Sequence, residues 1–209
     1  MKGLFLFAHL LGKLSEGPCK NIFFDRVRPL PGSVLKVDLG LNPVESMCHT
    51  GIYVGGDRIV EMTNIDGIGT IQMVTPDQFL NYSLWRTGIY IYVACARKLG
   101  GYYPLADPRV AERALAAVGR RTKYNLLLDN CHLFAEHCIT GRCDSPIGTL
   151  EHVEKVLIRE HRLRRKINLF RPGAISSSPI YWMSTGVATG GSFESGGAKG
   201  RSFPAAKRP

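Results

Sequence analysis

The chain has 209 residues and a formal net charge of +10, with 44% hydrophobic and 21% charged residues. Those fractions are ordinary for a globular protein, and the length allows one good core plus extra segments. Six cysteines in a chain of this length exclude a disulfide scaffold, and no stretch approaches the roughly 20 apolar residues of a membrane-spanning helix.

The first residues, MKGLFLFAHLLGKL, set Lys2 ahead of an apolar run from Leu4 to Leu11. Leu4, Phe7, Leu10, Leu11 and Leu14 fit one face of a short helix, packed or touching a membrane. A cleaved signal peptide is the second reading, although His9 interrupts its core and no clean small-residue cleavage site follows. Pro18, Pro29, Pro31 and Gly32 mark residues 18–32 as a connector. Strand character appears at 33–39, followed by a loop at 40–47 around Asn42-Pro43. Residues 49–54 and 58–62 read as a hairpin across the tight turn Gly55-Gly56-Asp57. Residues 68–74 form another strand, Thr75-Pro76-Asp77 caps a short helical turn through Leu80, and 89–94 is a further strand.

After residue 94 the hydrophobic period changes. Asp107, with Pro108 at the first helical position, opens a helix that Gly119 closes; Val110, Ala114, Leu115 and Val118 make its apolar face. RRTKYNLLL (120–128) is a loop leading into DNCHLFAEHCITGR (129–142), where Asp129 and Asn130 are caps and Gly141 a stop. A basic helix follows at about 149–166 with Leu150, Val153 and Leu157 inward, and from Pro172 the Gly/Ser-rich sequence reads as a flexible tail. Strands first and helices later predict an α+β domain with a mainly antiparallel sheet packed on helices.

The charge is uneven. From residue 159 onward ten Lys/Arg stand against Glu160 and Glu194, a surplus of +8. Such an end suits an anionic surface, membrane or nucleic acid. A solvated helix face with a soluble tail fits equally well.

Cys131 falls in the first turn of its helix, where free backbone N–H groups and the helix dipole favour an anion and push a thiol toward thiolate. Such a nucleophile needs a base from elsewhere in the fold, and His49 in CHTGIYVGG (48–56) is the candidate. A buried inert thiol is the commoner fate of a helical cysteine, so the argument depends on the two segments meeting. Strand alternation turns Cys48 to the opposite face from His49, which makes it structural. Cys131, His132, His137, Cys138 and Cys143 crowd together without a CxxC pair, and residues 131 and 132 leave the helix on different sides. Shared zinc ligation is therefore disfavoured, and no metal is expected.

HTGIYVGGDRIVEM (49–62), followed 82 residues after His49 by NCHLFAEHC (130–138), resembles the lecithin retinol acyltransferase-like family, in the permuted NlpC-like branch of the papain-like thiol enzymes. The likeness rests on His49, residues 51–55, Asn130, Cys131 and Phe134, and covers roughly 30–147. It implies a circularly permuted papain-like catalytic domain at 30–147, between an apolar segment and connector (1–29) and a basic helix (148–171) with its flexible tail (172–209). It also implies Cys131 as nucleophile, His49 as base and acyl transfer through a thioester. The best-known animal members carry a second histidine twelve positions after the first; here that position is Glu61. A carboxylate on the hairpin partner strand would hold the His49 ring tautomer, as a non-histidine polar residue does in bacterial-type members. An exposed strand glutamate is the alternative. Tyr53, Asn130 and His132 are the expected substrate-side residues, His132 replacing a residue that is commonly acidic in the family, and Tyr53 alternatively a plain strand aromatic.

The resemblance implies a lipid acyl donor, typically a phospholipid, discharged to water by a hydrolase or to an alcohol or amine by a transferase, with no metal or organic cofactor. The basic C-terminal end would meet an anionic membrane surface, and nucleic acid is disfavoured as a partner. A functional free thiol points to a reducing, cytoplasmic compartment, peripheral to a membrane. Two other functions remain open: an NlpC-like cysteine peptidase or amidase acting on peptides, and a non-enzymatic module gripping an anionic partner.

Overall fold

A computed structural model describes residues 26–39, 48–82, 86, 89–99, 101–125, 130–142, 148–163 and 178–194. In chain order the elements are β1 (Val34–Asp38), β2 (Cys48–Gly55), β3 (Arg58–Ile65), β4 (Ile68–Val74), α1 (Pro76–Asn81), β5 (Tyr92–Lys98) and β6 (Gly101–Pro104). They continue with α2 (Pro108–Ala117), β7 (Arg121–Lys123), α3 (Cys131–Thr140), α4 (Leu150–Glu160) and β8 (Ile180–Ser184). The expected α+β architecture is present: the strands form one sheet in the order β6-β5-β1-β2-β3-β4-β7, with β8 along β5 and every pairing antiparallel.

Period-two alternation decides what each face of the sheet carries. Val34, Ile52, Val60 and Met62 face a layer built from α2, α3 and α4, where Ala114, Phe134, Ala135, Val153 and Leu157 close the core. Leu35, Val37, Tyr53, Ile59 and Val74 face the other way, under Phe79 and Leu80 of α1 and under Val187 and Phe193 near the end of the described chain. The β2–β3 turn takes Gly55, Gly56 and Asp57 through φ of 95°, 56° and 53°, left-handed conformations that glycine adopts freely and aspartate tolerates. Among the described residues no helix is long and apolar enough to cross a membrane.

The strand at 68–74 and the Thr75 and Asp107 caps lie where the sequence puts them. Several other expectations shift, each because tertiary pairing outweighs local pattern. β5 starts three residues later than 89 and runs on to Lys98, since Arg97 and Lys98 complete the ladder to Tyr102 and Gly101 of β6. Within the stretch expected as a loop at 120–128, Arg121–Lys123 forms β7 and extends the sheet beside β4. The buried stripe of α2 is Val110, Ala111, Ala114 and Ala117, whereas Leu115 and Val118 face solvent; Arg113, donating to the carbonyls of Cys138 and Ile139, fixes that rotation against α3. α4 stops at Glu160, where Arg162 turns to a φ of 51°, and buries Val153, Val156 and Leu157 while Leu150 stays half-exposed.

The largest correction concerns 178–194, the described part of the stretch 172–209 expected to be a flexible tail. Ile180–Ser184 pairs along β5 from Tyr92↔Ser184 to Ala96↔Ile180, covering a strand edge that would otherwise offer unpaired backbone groups. Farther on, Ser192 Oγ and the Phe193 N–H both donate to the Asp57 carboxylate at the β2–β3 turn. A β-branched and aromatic run inside Gly/Ser-rich sequence thus serves the sheet. The expectations for 1–25, the loop at 40–47, Asp129 and the stretches 164–177 and 195–209 lie outside the described residues.

Candidate active site

Cys131 is the first residue of α3, and Asn130 caps the helix. The Asn130 side-chain oxygen accepts from the N–H of His132 at 2.9 Å and of Leu133 at 3.1 Å, while its amide nitrogen donates to the Gly148 carbonyl at 2.9 Å. A Cβ on Gly148 would overlap that amide, so glycine is required for the approach. Asn130 is 3% exposed and committed to the cap; its expected place on the substrate side gives way to one of holding Cys131.

The two sequence segments meet. β2 runs beside the start of α3, where the Thr50 hydroxyl donates to the Cys131 carbonyl at 3.0 Å. The Cys131 thiol and the His49 ring are near enough for each to shift the other's proton affinity, and Thr50 adds to the effect on the sulfur. Thr50 had no role in the sequence reading; its only signal was its place between His49 and Gly51. That glycine matters too. A Cβ on Gly51 would lie 2.9 Å from the Phe79 ring and 2.8 Å from Ile59, so only glycine lets α1 close over the strand. Phe79 in turn packs 5.5 Å from the His49 ring, centroid to centroid.

Behind His49 is Glu61, fully buried, with Oε2 2.8 Å from His49 Nε2 and Oε1 accepting from Gln72 Nε2 at 3.0 Å. The exposed-glutamate alternative is excluded by that burial. Because Nε2 meets Glu61, the other ring nitrogen is left for the thiol. A residue that sequence reasoning missed joins them: Arg86, in NYSLWRTG, points one guanidinium nitrogen at Glu61 Oε2 at 2.9 Å and the other at His49 Nε2 at 3.2 Å. The only hint was a single cation inside an aromatic and apolar stretch.

The electrostatics follow from these contacts. Burial opposes a charge on Cys131, but the His49 charge and hydrogen bond, together with Thr50, outweigh it and hold the thiol below its ordinary range. Burial likewise opposes the imidazolium, yet Cys131 and then Glu61 raise His49 to about 9. Glu61 is held below the usual carboxylate range, since the bond and charge of His49, the charge of Arg86 and the bond from Gln72 overcome its burial. The arrangement sets a buried thiol beside an imidazole with a carboxylate behind the ring, contacts that favour the thiolate–imidazolium form over an isolated thiol.

The remaining expected site residues separate. His132 is buried, with Nδ1 3.3 Å from the Thr50 hydroxyl, and burial and then the His49 charge push it down to about 4, so it is neutral near pH 7. Tyr53 does not line the site. It stands four residues along β2 from His49, about 13 Å at the rise of a strand, and is buried edge-on against Phe193 at 5.0 Å. Cys48 faces the other side of the strand, as alternation requires, and burial pushes it up to about 12.

Among curated proteins none matches the chain. The family model described as lecithin retinol acyltransferase matches residues 28–144, more than half of the sequence and a span that contains Cys131, His49, Glu61 and Arg86. The chain therefore belongs to the lecithin retinol acyltransferase family, whose activity is of the thiol-dependent acyl-transfer type.

Proposed function

We propose that this protein takes an acyl group from a phospholipid or other lipid acyl ester onto Cys131 as a thioester, and then passes it to water or to an alcohol or amine. The observation that carries this reading is the buried Cys131–His49 pair at the start of α3, backed by Glu61 at 2.8 Å. In the first half-reaction the thiolate sulfur attacks the ester carbonyl carbon, and the carbonyl oxygen takes the negative charge. The Cys131 backbone N–H, free of the cap bonds that Asn130 makes, is suited to meet that oxygen. The intermediate collapses, the bond from carbon to the leaving oxygen breaks, and the His49 imidazolium gives its proton to that oxygen. In the second half-reaction water or the acceptor attacks the thioester carbon as His49 takes its proton, the carbon–sulfur bond breaks to release the acid, ester or amide, and the thiolate–imidazolium pair returns. Glu61 orients the ring in both halves. The net charge of +10 and the basic residues from 159 onward suit an anionic lipid surface as the place of work.

The test is intact mass after brief incubation with vesicles of mixed phosphatidylcholine and phosphatidylserine, for wild type and Cys131→Ala. A fatty-acyl increment that is absent from the variant and released by neutral hydroxylamine is the expected result. Fatty acid released without an adduct points to the hydrolase branch. Neither adduct nor fatty acid would overturn the lipid reading and turn attention to amide and peptide substrates.

A further inference from the structure

Arg86 is the one cation seen at the His49 ring among the described residues, and it is almost wholly buried, its side chain 3% exposed. One nitrogen, Nη1, bonds both Glu61 Oε2 at 2.9 Å and the Phe79 carbonyl at 2.7 Å; the other, Nη2, lies 3.2 Å from His49 Nε2 and 3.5 Å from the Thr63 hydroxyl. The guanidinium also stacks near the Phe79 and Tyr82 rings, 5.5 Å and 5.1 Å from their centroids. Burying an arginine this completely is costly unless its charge is matched, and the match here is the same Glu61 oxygen that serves His49.

We propose that Arg86 is a positioning residue that keeps His49 able to release its proton, by sharing the Glu61 Oε2 with the ring and setting a fixed positive charge against Nε2. A bare buried carboxylate would hold the imidazolium so tightly that it became a poor acid toward a leaving group. With Arg86 present, the thiolate, imidazolium, carboxylate and guanidinium balance to zero net charge. This rests on the thiol–imidazole reading of the site. The groups facing His49 are Cys131 and His132 from α3, Thr50 from its own strand, Glu61 and Thr63 from β3, Phe79 from α1, and Arg86, with Gln72 of β4 acting through Glu61. His132 stays neutral near pH 7, so no other cation in this set replaces Arg86. Loss of the guanidinium removes both a neutraliser of Glu61 and a direct repulsion on the ring. Both changes strengthen the imidazolium.

The test needs no acyl substrate. Alkylation of Cys131 by iodoacetamide is followed against pH by peptide mass spectrometry, on wild type, Arg86→Met and Arg86→Lys. In wild type the rate should rise in two steps, one as the thiolate–imidazolium pair forms and one near pH 9 as His49 loses its proton. Cys48 and Cys95, each pushed up to about 12 by burial, stay unreactive over this range. Arg86→Met should move the alkaline step up by about one unit, the size expected when a charge within contact distance is removed, and the acid step up by less, since the thiolate loses a more distant cation. Arg86→Lys keeps a charge on a shorter reach and should move both steps in the same directions by less. Steps that stay in place in the folded Met variant, or an alkaline step that falls, would overturn the proposal. Should Arg86→Met fail to fold, the lysine variant decides, and unmoved steps there sink the idea. A wild type lacking the acid step would instead refute the thiol–imidazole site itself.

Discussion

Cys48 and Cys131 lie at the starts of two elements that touch, β2 and α3, and are 4% and 5% exposed. Burial alone would treat them alike. Cys48 answers to burial and rises to about 12, whereas Cys131 falls below the ordinary thiol range. The difference lies in what surrounds the sulfur. Cys131 has the Asn130 cap holding the first turn, Thr50 at its side and the His49 ring opposite; Cys48, one residue from His49 in sequence, is turned to the other face of the strand. A buried thiol becomes a nucleophile only where the fold supplies a partner cation and donors for the anion, and adjacency in sequence is not enough.

Turnover should break this symmetry most sharply. Cys131→Ala and His49→Ala are each expected to lower the acyl-transfer rate by about a thousandfold or more, in protein that circular dichroism shows to be folded. Cys48→Ala should stay close to wild type. Equal losses from both cysteine variants, measured on the same lipid substrate, would end the distinction.

The next effect is on pH dependence. His49 lies above its ordinary 6.5, so its proton is kept as pH rises and lost only through about 9. Activity should therefore decline on the alkaline side near pH 9, and the stability that the raised His49 lends, full below about 6.5, should fade across the same window. Glu61→Gln removes the anion behind the ring and should bring the alkaline limb down by about one unit or more, opposite in sign to Arg86→Met. Parallel shifts in the two variants would show that neither acts through charge on His49.

Smallest is the cap. Asn130→Ala deprives the His132 and Leu133 N–H groups of their acceptor and should cost about 1 kcal/mol in chemical denaturation. It should also raise the pH at which Cys131 begins to alkylate, since the first turn around the thiol loosens. An unchanged alkylation profile would mean that the cap serves the helix and not the thiol.

The grouping of Cys131, His49 and Glu61 was legible because each sits in a short motif whose local geometry is stiff. Asn130 before Cys131 is a helix start, and a hairpin turned by Gly55-Gly56-Asp57 brings Glu61 opposite Gly51, beside the His49 side of the strand. Arg86 was not legible, because its 37-residue separation from His49 is bridged by a contact no periodicity encodes. Tyr53 misled for a related reason. It belongs to the same motif as His49, but the ring is claimed by Phe193, 140 positions away, from a segment that reads as flexible.

By itself the sequence determined the elements whose signals are local: alternating strands, capped helices, the left-handed turn, and a cysteine at a helix start with a histidine heading a hairpin. The tertiary structure decided everything that depended on a remote partner. Ile180–Ser184 became β8 because β5 offered it an open edge, and Arg86 entered the site because a buried Glu61 needed a matching charge. Local preferences act over a few residues and can be read along the chain. Edge pairing and buried charge balance are satisfied only when distant segments are already in contact.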